Sequence, residues 1–146
     1  MNIGRPRTRE INQVNAERLL NVAKALRESP NPDKFAMYSY GHCDTPMCAF
    51  GHYAYRTDLQ TAFLLTESGP ELRDGECVSH DDQVVLDHFE FSSEDEANQF
   101  FGCHVAARHA RERGLTGPFL VDEAKTANEA ADWIERFVAE HTEVQP

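Results

Sequence analysis

Residues 40–54 read Tyr40-Gly-His-Cys-Asp-Thr-Pro-Met-Cys-Ala-Phe-Gly-His-Tyr-Ala54, and they hold two of the four cysteines and two of the seven histidines. Thr45 and Pro46 predict a helix start, because Thr is a good N-cap and Pro suits the first helical position. The helix should then run from Pro46 through Met47 to about Arg56. Cys48 falls in its first turn and His52 lies four residues on, which puts both on one helix face.

Gly51 is unusual inside a predicted helix, because Gly there costs roughly 1 kcal/mol relative to Ala. Phe50, Tyr53 and Tyr55 surround it and make the segment apolar on more than one side. This pattern predicts a largely buried helix against which another backbone or ring packs closely. We therefore expect the fold to be arranged around residues 40–54.

Residues 43–54 resemble the C-G-T-x-x-C-x-x-G-(W/H)-x-A signature of a family of small, uncharacterised bacterial and phage proteins. The resemblance extends downstream through a hairpin-like stretch, a short helix and a terminal amphipathic helix, and so covers most of the chain after about residue 14. The sequence departs from the signature at Asp44, where Gly is usual, and has His52 where Trp is common. The resemblance implies a single compact domain and no particular activity.

The chain has 146 residues and a net charge of −11. This length favours one domain with a core of its own. Residues 1–34 hold seven Lys/Arg against four Asp/Glu, a net +3, and the remainder holds seven against twenty-one, a net −14. An acidic chain of this kind argues against a nucleic-acid-binding surface. The acidic charge of residues 35–146 is most simply that of a solvated surface that keeps the protein in solution. The alternative is an acidic face that docks onto a basic partner or imitates DNA.

Targeting and membrane signals are missing from the sequence. There is no apolar run long enough to span a bilayer, and the N-terminal arginines are not followed by the apolar stretch of a secretory signal. Four cysteines in such a chain do not predict a disulfide framework. We therefore expect a cytoplasmic protein without membrane contact.

Apolar spacing predicts helices over residues 14–28, 81–89, 104–113 and about 127–141. Two capping boxes, Ser93 to Glu96 and Thr126 to Glu129, mark further helix starts. Turn signals at Ser68-Gly69-Pro70 and Asp74-Gly75 predict a small β-hairpin, and Gly117-Pro118 opens an irregular segment through residue 121.

Together these elements predict an α+β fold that is mainly α, with about six helices and one small β-hairpin. A flexible basic arm is expected over residues 1–13 and a single globular domain over residues 14–146.

A zinc site is the first candidate for chemistry. Cys43, Cys48 and His52, with Cys103 or His104 from elsewhere in the chain, supply ligands of the type that zinc takes. The spacing is not that of a standard zinc finger, and free cysteines are among the most buried residue types. The alternative is that the cysteines are small buried side chains, and that His52 and His42 are core histidines hydrogen-bonded to backbone.

Thiol chemistry is the second candidate. Cys48 near a helix N-terminus would have its thiolate favoured, and His52 could serve as its base. Cys43 and Cys48 could also form a reversible redox pair. No orienting residue is identifiable by spacing, and no cysteine-hydrolase motif is present.

An anion site is the third candidate. His104, Arg108 and Arg111 share one helix face at i, i+4 and i+7. The alternative is that this face pairs with nearby carboxylates such as Glu112 or Asp122.

From these observations we predict a cytosolic binding or interaction module with structural cysteines, whose partner is a protein or a small molecule. The sequence favours a binding role over an enzymatic one without deciding between them, and no cofactor is expected unless zinc is bound. The alternative is a thiol- or zinc-dependent enzyme centred on Cys43, Cys48 and His52.

Overall fold

The computed structural model describes residues 13–30, 32–37, 41–42, 45–91, 93–102, 104–115 and 119–141. The predicted basic arm lies outside these ranges except for its last residue, Gln13. Cys43 and Cys103, two of the proposed zinc ligands, also lie outside the described residues.

Within these ranges the chain forms seven α-helices, one 3-10 turn and four short strands. In chain order they are α1 Gln13–Arg27, the 3-10 turn Pro32–Lys34, β1 Gly41–His42, β2 Thr45–Pro46, α2 Ala49–Tyr55, β3 Phe63–Thr66, β4 Gly69–Leu72, α3 Gln83–Phe89, α4 Glu94–Phe101, α5 His104–Glu112, α6 Leu120–Glu123 and α7 Ala127–His141. The strands form two separate antiparallel pairs, β1 with β2 and β3 with β4. The mainly α, α+β prediction is therefore confirmed.

The two predicted capping boxes supply the N-caps of α4 and α7. The Ser93 hydroxyl accepts a hydrogen bond from the Glu96 amide at 3.4 Å, and the Thr126 hydroxyl accepts one from the Glu129 amide at 3.2 Å. In the second box the Glu129 carboxylate accepts from the amide of Lys125 at 2.7 Å. These side chains satisfy amides that the first helical turn leaves without partners.

The predicted hairpin is formed by β3 and β4, paired from Phe63 with Leu72 to Thr66 with Gly69. Phe63 and Leu65 are buried, while the residues that alternate with them are only partly covered. A lone hairpin is marginal in water, so its buried face must pack on the helices.

Helix α2 lies at the centre of the fold, and six of its seven residues are buried. The Phe50 ring lies 5.3 Å from the rings of both Phe63 and Phe101, and the Tyr53 ring lies 5.1 Å from that of Phe89. These contacts join α2 to β3, α4 and α3. The prediction of a largely buried helix is confirmed. That the fold is arranged around residues 40–54 stays a prediction, because residues 40, 43 and 44 lie outside the described ranges.

Helix α1 packs along both α2 and α7. Leu19, Val22 and Leu26 on α1 are fully buried, and Ile134 on α7 is equally buried. Outside this core, Arg27 forms ion pairs with two carboxylates of α7. Exposed pairs of this kind add little to stability, so apolar burial holds the two helices together.

The predicted start of α2 is wrong by three residues. Thr45 and Pro46 lie in strand β2 rather than at an N-cap and first turn, and the helix begins at Ala49 with Cys48 as N-cap. The carbonyl of Met47 accepts a hydrogen bond from the amide of Ala36 at 3.1 Å. This pairing with an extended segment keeps Met47 out of the helix.

The predicted irregular segment through Val121 is also partly wrong, because α6 begins at Leu120. Phe119 and Leu120 are fully buried and anchor this single turn in the core. A helix of four residues is too short to produce a periodic apolar pattern.

Candidate functional site

Cys48 takes the place of an N-capping hydroxyl at the start of α2. Its sulfur accepts a hydrogen bond from the amide of Gly51 at 3.3 Å, and the residue is 1% exposed. Burial raises the pKa of the thiol to about 11. Cys48 is therefore a neutral thiol at physiological pH, although it lies at a helix N-terminus where a thiolate would be favoured.

His52 hydrogen-bonds through both ring nitrogens. Nδ1 lies 2.9 Å from the carbonyl oxygen of Cys48, and Nε2 lies 2.7 Å from Oγ of Ser29. The residue is completely buried, and burial lowers its pKa below the ordinary value. The prediction of a core histidine hydrogen-bonded to backbone is confirmed for His52.

These distances determine the protonation of the imidazole. A carbonyl oxygen only accepts hydrogen bonds, so Nδ1 of His52 must carry the hydrogen that it donates to Cys48. A neutral ring has a single N–H, and Nε2 is then an acceptor. It follows that the hydroxyl of Ser29 donates its hydrogen to Nε2.

The proposed thiol and zinc sets are only partly within the described residues. Cys48 and His52 are brought together, but the imidazole is directed at the Cys48 carbonyl and at Ser29. Among the residues that the structure describes, no group of three His, Cys, Asp or Glu side chains could hold a metal ion. With Cys43 and Cys103 outside those residues, the four-ligand zinc set remains a prediction.

The three residues proposed to bind an anion lie on α5, and two of them contact Asp122. His104 Nδ1 lies 3.2 Å from one carboxylate oxygen of Asp122, and Arg111 forms a hydrogen bond with the other. The Arg111 guanidinium also lies 4.3 Å from the centre of the Phe119 ring. Arg108 is exposed on the same helix. Two of the three donors are therefore directed at a carboxylate of the protein.

A cavity of about 280 Å³ lies beside this cluster. Its wall combines the segment after the 3-10 turn with residues of α5, α6 and the α6–α7 connection. The lining residues are Phe35, Ala36, Met37, His104, Val121, Ala124 and Lys125. Most of these side chains are apolar, and His104 and Lys125 supply the nitrogen donors. Sequence reasoning missed the cavity because its residues come from separate segments.

A second buried polar cluster joins α2 to α3. The Tyr53 hydroxyl lies 2.7 Å from Nε2 of His88, while Arg18 donates to the His88 carbonyl and lies 3.4 Å from His88 Nδ1. Because Arg18 can only donate, Nδ1 must be the acceptor and Nε2–H donates to Tyr53. Burial, with the nearby Arg18 charge, lowers the pKa of His88 to about 4, and burial raises the pKa of Tyr53.

No protein-family model, curated protein or solved structure matches this chain. In the described part of the chain, no helix has the length and apolar character needed to cross a membrane.

Proposed function

We propose that this protein is a cytosolic binding module with structural cysteines, and that its ligand enters the cavity between Phe35 and Lys125. The cavity is the observation that carries this proposal. Ligand pockets in proteins are mostly apolar, with a few polar groups that orient the ligand, and roughly 300–1,000 Å³ in volume. A cavity of about 280 Å³ lies at the lower end of that range and suits a small organic molecule.

The lining favours a ligand with an apolar body and one acidic group. Phe35, Met37 and Val121 present apolar surface to the cavity, and Lys125 and His104 supply the nitrogen donors. A carboxylate at the Lys125 end would gain a charge-assisted hydrogen bond while the apolar body is buried. The net charge of −11 argues against nucleic acid as the partner.

The environment of Cys48 supports a structural role for this residue rather than thiol chemistry. Cys48 caps α2 through its sulfur and is buried, and His52 is engaged by Ser29 and by a backbone carbonyl. A cytoplasmic location belongs to the same proposal and rests on cysteine usage without a disulfide framework.

Titration with benzoate tests this proposal, with benzamide as the uncharged analogue. We expect saturable shifts in the amide NMR signals of residues 35–37 and 121–125, and weaker binding of benzamide. Ala124→Phe should fill the cavity and abolish the shifts, whereas Ala139→Phe, at an exposed site on α7, should leave them unchanged. Benzoate shifts that are absent, or equal in both variants, would exclude the cavity as the binding site.

A further inference from the structure

Ser29 and His52 form a hydroxyl–imidazole hydrogen bond, and neither residue lines the cavity. Ser29 lies just beyond the C-terminal end of α1, 23 residues before His52 in sequence, and its hydroxyl oxygen is 2.7 Å from Nε2. On the other side of the imidazole, Nδ1–H donates to the Cys48 carbonyl at 2.9 Å. A hydroxyl, an imidazole that accepts its hydrogen, and a third group that orients the imidazole are the parts that activate a serine nucleophile.

We propose that Ser29 is a nucleophile for acyl transfer from small carboxylic esters, with His52 as its general base. The carbonyl of Cys48 holds the imidazole in the tautomer that accepts the Ser29 proton. In serine hydrolases a carboxylate usually occupies this third position. A carbonyl oxygen fixes the same tautomer and stabilises the imidazolium less strongly, because it carries only a partial charge.

The reaction has two balanced steps. Ser29 Oγ forms a bond to the acyl carbon as its proton passes to His52 Nε2. The ester C–O bond then breaks, and the departing alcohol takes that proton. In the second step water attacks the acyl carbon and gives a proton to His52 Nε2. The bond between the acyl carbon and Ser29 Oγ then breaks, and Oγ takes that proton. Neither step requires a redox partner or a metal ion.

The exposure of the three groups is consistent with these roles. Ser29 is partly exposed, whereas His52 is completely buried behind it. The proposal requires a substrate to approach Ser29 from its exposed side, while the imidazole remains shielded from water. Cys48 cannot act in its place, because its thiol is buried and remains protonated at neutral pH.

A fluorophosphonate probe tests the proposal on the full chain. The Ser29 oxygen would attack phosphorus and displace fluoride, and its proton would pass through His52 to solvent. We expect one phosphonate per chain, located on Ser29 by peptide mass spectrometry. Since general-base catalysis contributes about 10²–10⁴-fold, labelling of Ser29 should exceed that of the exposed Ser68 by about 100-fold or more.

The controls separate an activated hydroxyl from an ordinary one. Ser29→Ala should abolish the adduct and Ser68→Ala should leave it unchanged. His52→Gln should reduce the rate about 100-fold, with folding checked by circular dichroism. Unfolding the wild type in urea should also abolish labelling, and this comparison needs no variant. Absence of a Ser29 adduct on the native wild type, or labelling that survives in urea, overturns the proposal.

Discussion

Cys48 does at the start of α2 what a serine or threonine does at most helix starts, because its side chain accepts a hydrogen bond from a first-turn amide. Sulfur is a weaker acceptor than oxygen, but it is also readily buried. A hydroxyl in the same place would need further partners in an apolar surrounding. The residue therefore suits a helix start that lies inside the core.

This role leads to a prediction about thiol reactivity. At neutral pH a thiol reagent should modify Cys77 rapidly and Cys48 only as fast as the protein opens. Cys77 is exposed, whereas burial raises the pKa of Cys48 to about 11. Peptide mass spectrometry follows each cysteine separately, with the urea-unfolded chain as reference. Rapid native modification of Cys48 that disappears in His52→Gln would instead support the thiol-enzyme alternative.

Gly41 in β1 has a φ of +85°, which favours glycine, and neighbouring backbone atoms lie close to it. A Cβ there would overlap the carbonyl oxygen of Thr45 and lie 2.8 Å from the Met47 amide nitrogen. Gly75 has a similar φ of +95°, but a Cβ would meet nothing within 4 Å. Substitution of either glycine should therefore carry the same backbone cost. Only at Gly41 would the new side chain also collide with neighbouring atoms.

We expect Gly75→Ala to cost about 1–2 kcal/mol, from the left-handed backbone alone. Gly41→Ala should cost about 1–3 kcal/mol more, because the methyl group also overpacks the β1–β2 pair. Urea unfolding of both variants measures the difference. Equal losses would mean that the backbone near Thr45 moves aside without cost.

Helix α3 is capped at its C-terminal end by Glu90, a residue other than glycine that adopts the left-handed backbone conformation. The φ angle of Glu90 is +57°. The amide of Glu90 donates a hydrogen bond to the carbonyl of Asp87, and the amide of Phe91 donates one to the carbonyl of Leu86 at 2.9 Å. This is a Schellman motif, in which glycine is the preferred residue at the left-handed position.

Glu90→Gly should therefore be more stable than Glu90→Ala by about 1 kcal/mol. Both substitutions remove the same side chain, so the comparison isolates the backbone term. Thermal unfolding of the two variants under identical conditions is the measurement. An alanine variant as stable as the glycine variant would contradict the assignment of the motif.

Gly51 lies on α2 and is buried, so substitutions there test whether this helix is closely packed. On an exposed helix face Gly51→Ala would stabilise the protein by about 1 kcal/mol. In a packed position overpacking costs typically 1–3 kcal/mol, so we expect net destabilisation, and a larger loss for Gly51→Val. Denaturant midpoints of the variants decide between the two. A Gly51→Ala protein more stable than the wild type would contradict close packing at this position.

Most elements could be predicted from local signals, because caps and apolar periodicity are properties of neighbouring residues. Ser93 and Thr126 are examples. The start of α2 could not be predicted, because the hydrogen bond from Ala36 to Met47 outweighs the capping preference of Thr45. The contact of Ser29 with His52 could not be predicted, since nothing in the sequence around Ser29 indicates an imidazole from α2. Contacts of this kind depend on the tertiary fold.

On the scale of the whole molecule, two histidines, the buried His52 and the half-buried His88, connect α2 to its neighbours. His52 links α2 to the end of α1 through Ser29, and Tyr53 links it to α3 through His88. Arg18 on α1 also contacts His88, because its guanidinium donates a hydrogen bond to the His88 carbonyl. Burial lowers the pKa of both imidazoles, so the folded protein favours the neutral form of both rings.

The stability of the fold should therefore fall in mild acid. Burial, with the nearby charge of Arg18, lowers the pKa of His88 to about 4, from an ordinary value of 6.5. Between these pH values the unfolded chain binds a proton that the folded chain does not, so the free energy of unfolding decreases as the pH falls. The pKa of Asp58 is lowered from 3.8 to about 2, so its contribution is lost only at lower pH.

We expect the wild type to lose on the order of 1–2 kcal/mol more than His88→Gln between pH 6.5 and pH 4.5. This magnitude is reduced from the full effect of the pKa difference because His88 is partly exposed. Urea unfolding at each pH is the measurement. His109→Gln removes an exposed histidine of α5 and should follow the wild type. If His88→Gln lost as much stability as the wild type between these two pH values, protonation of His88 would not be the cause. The acid sensitivity would then have to come from His52 or from the carboxylates.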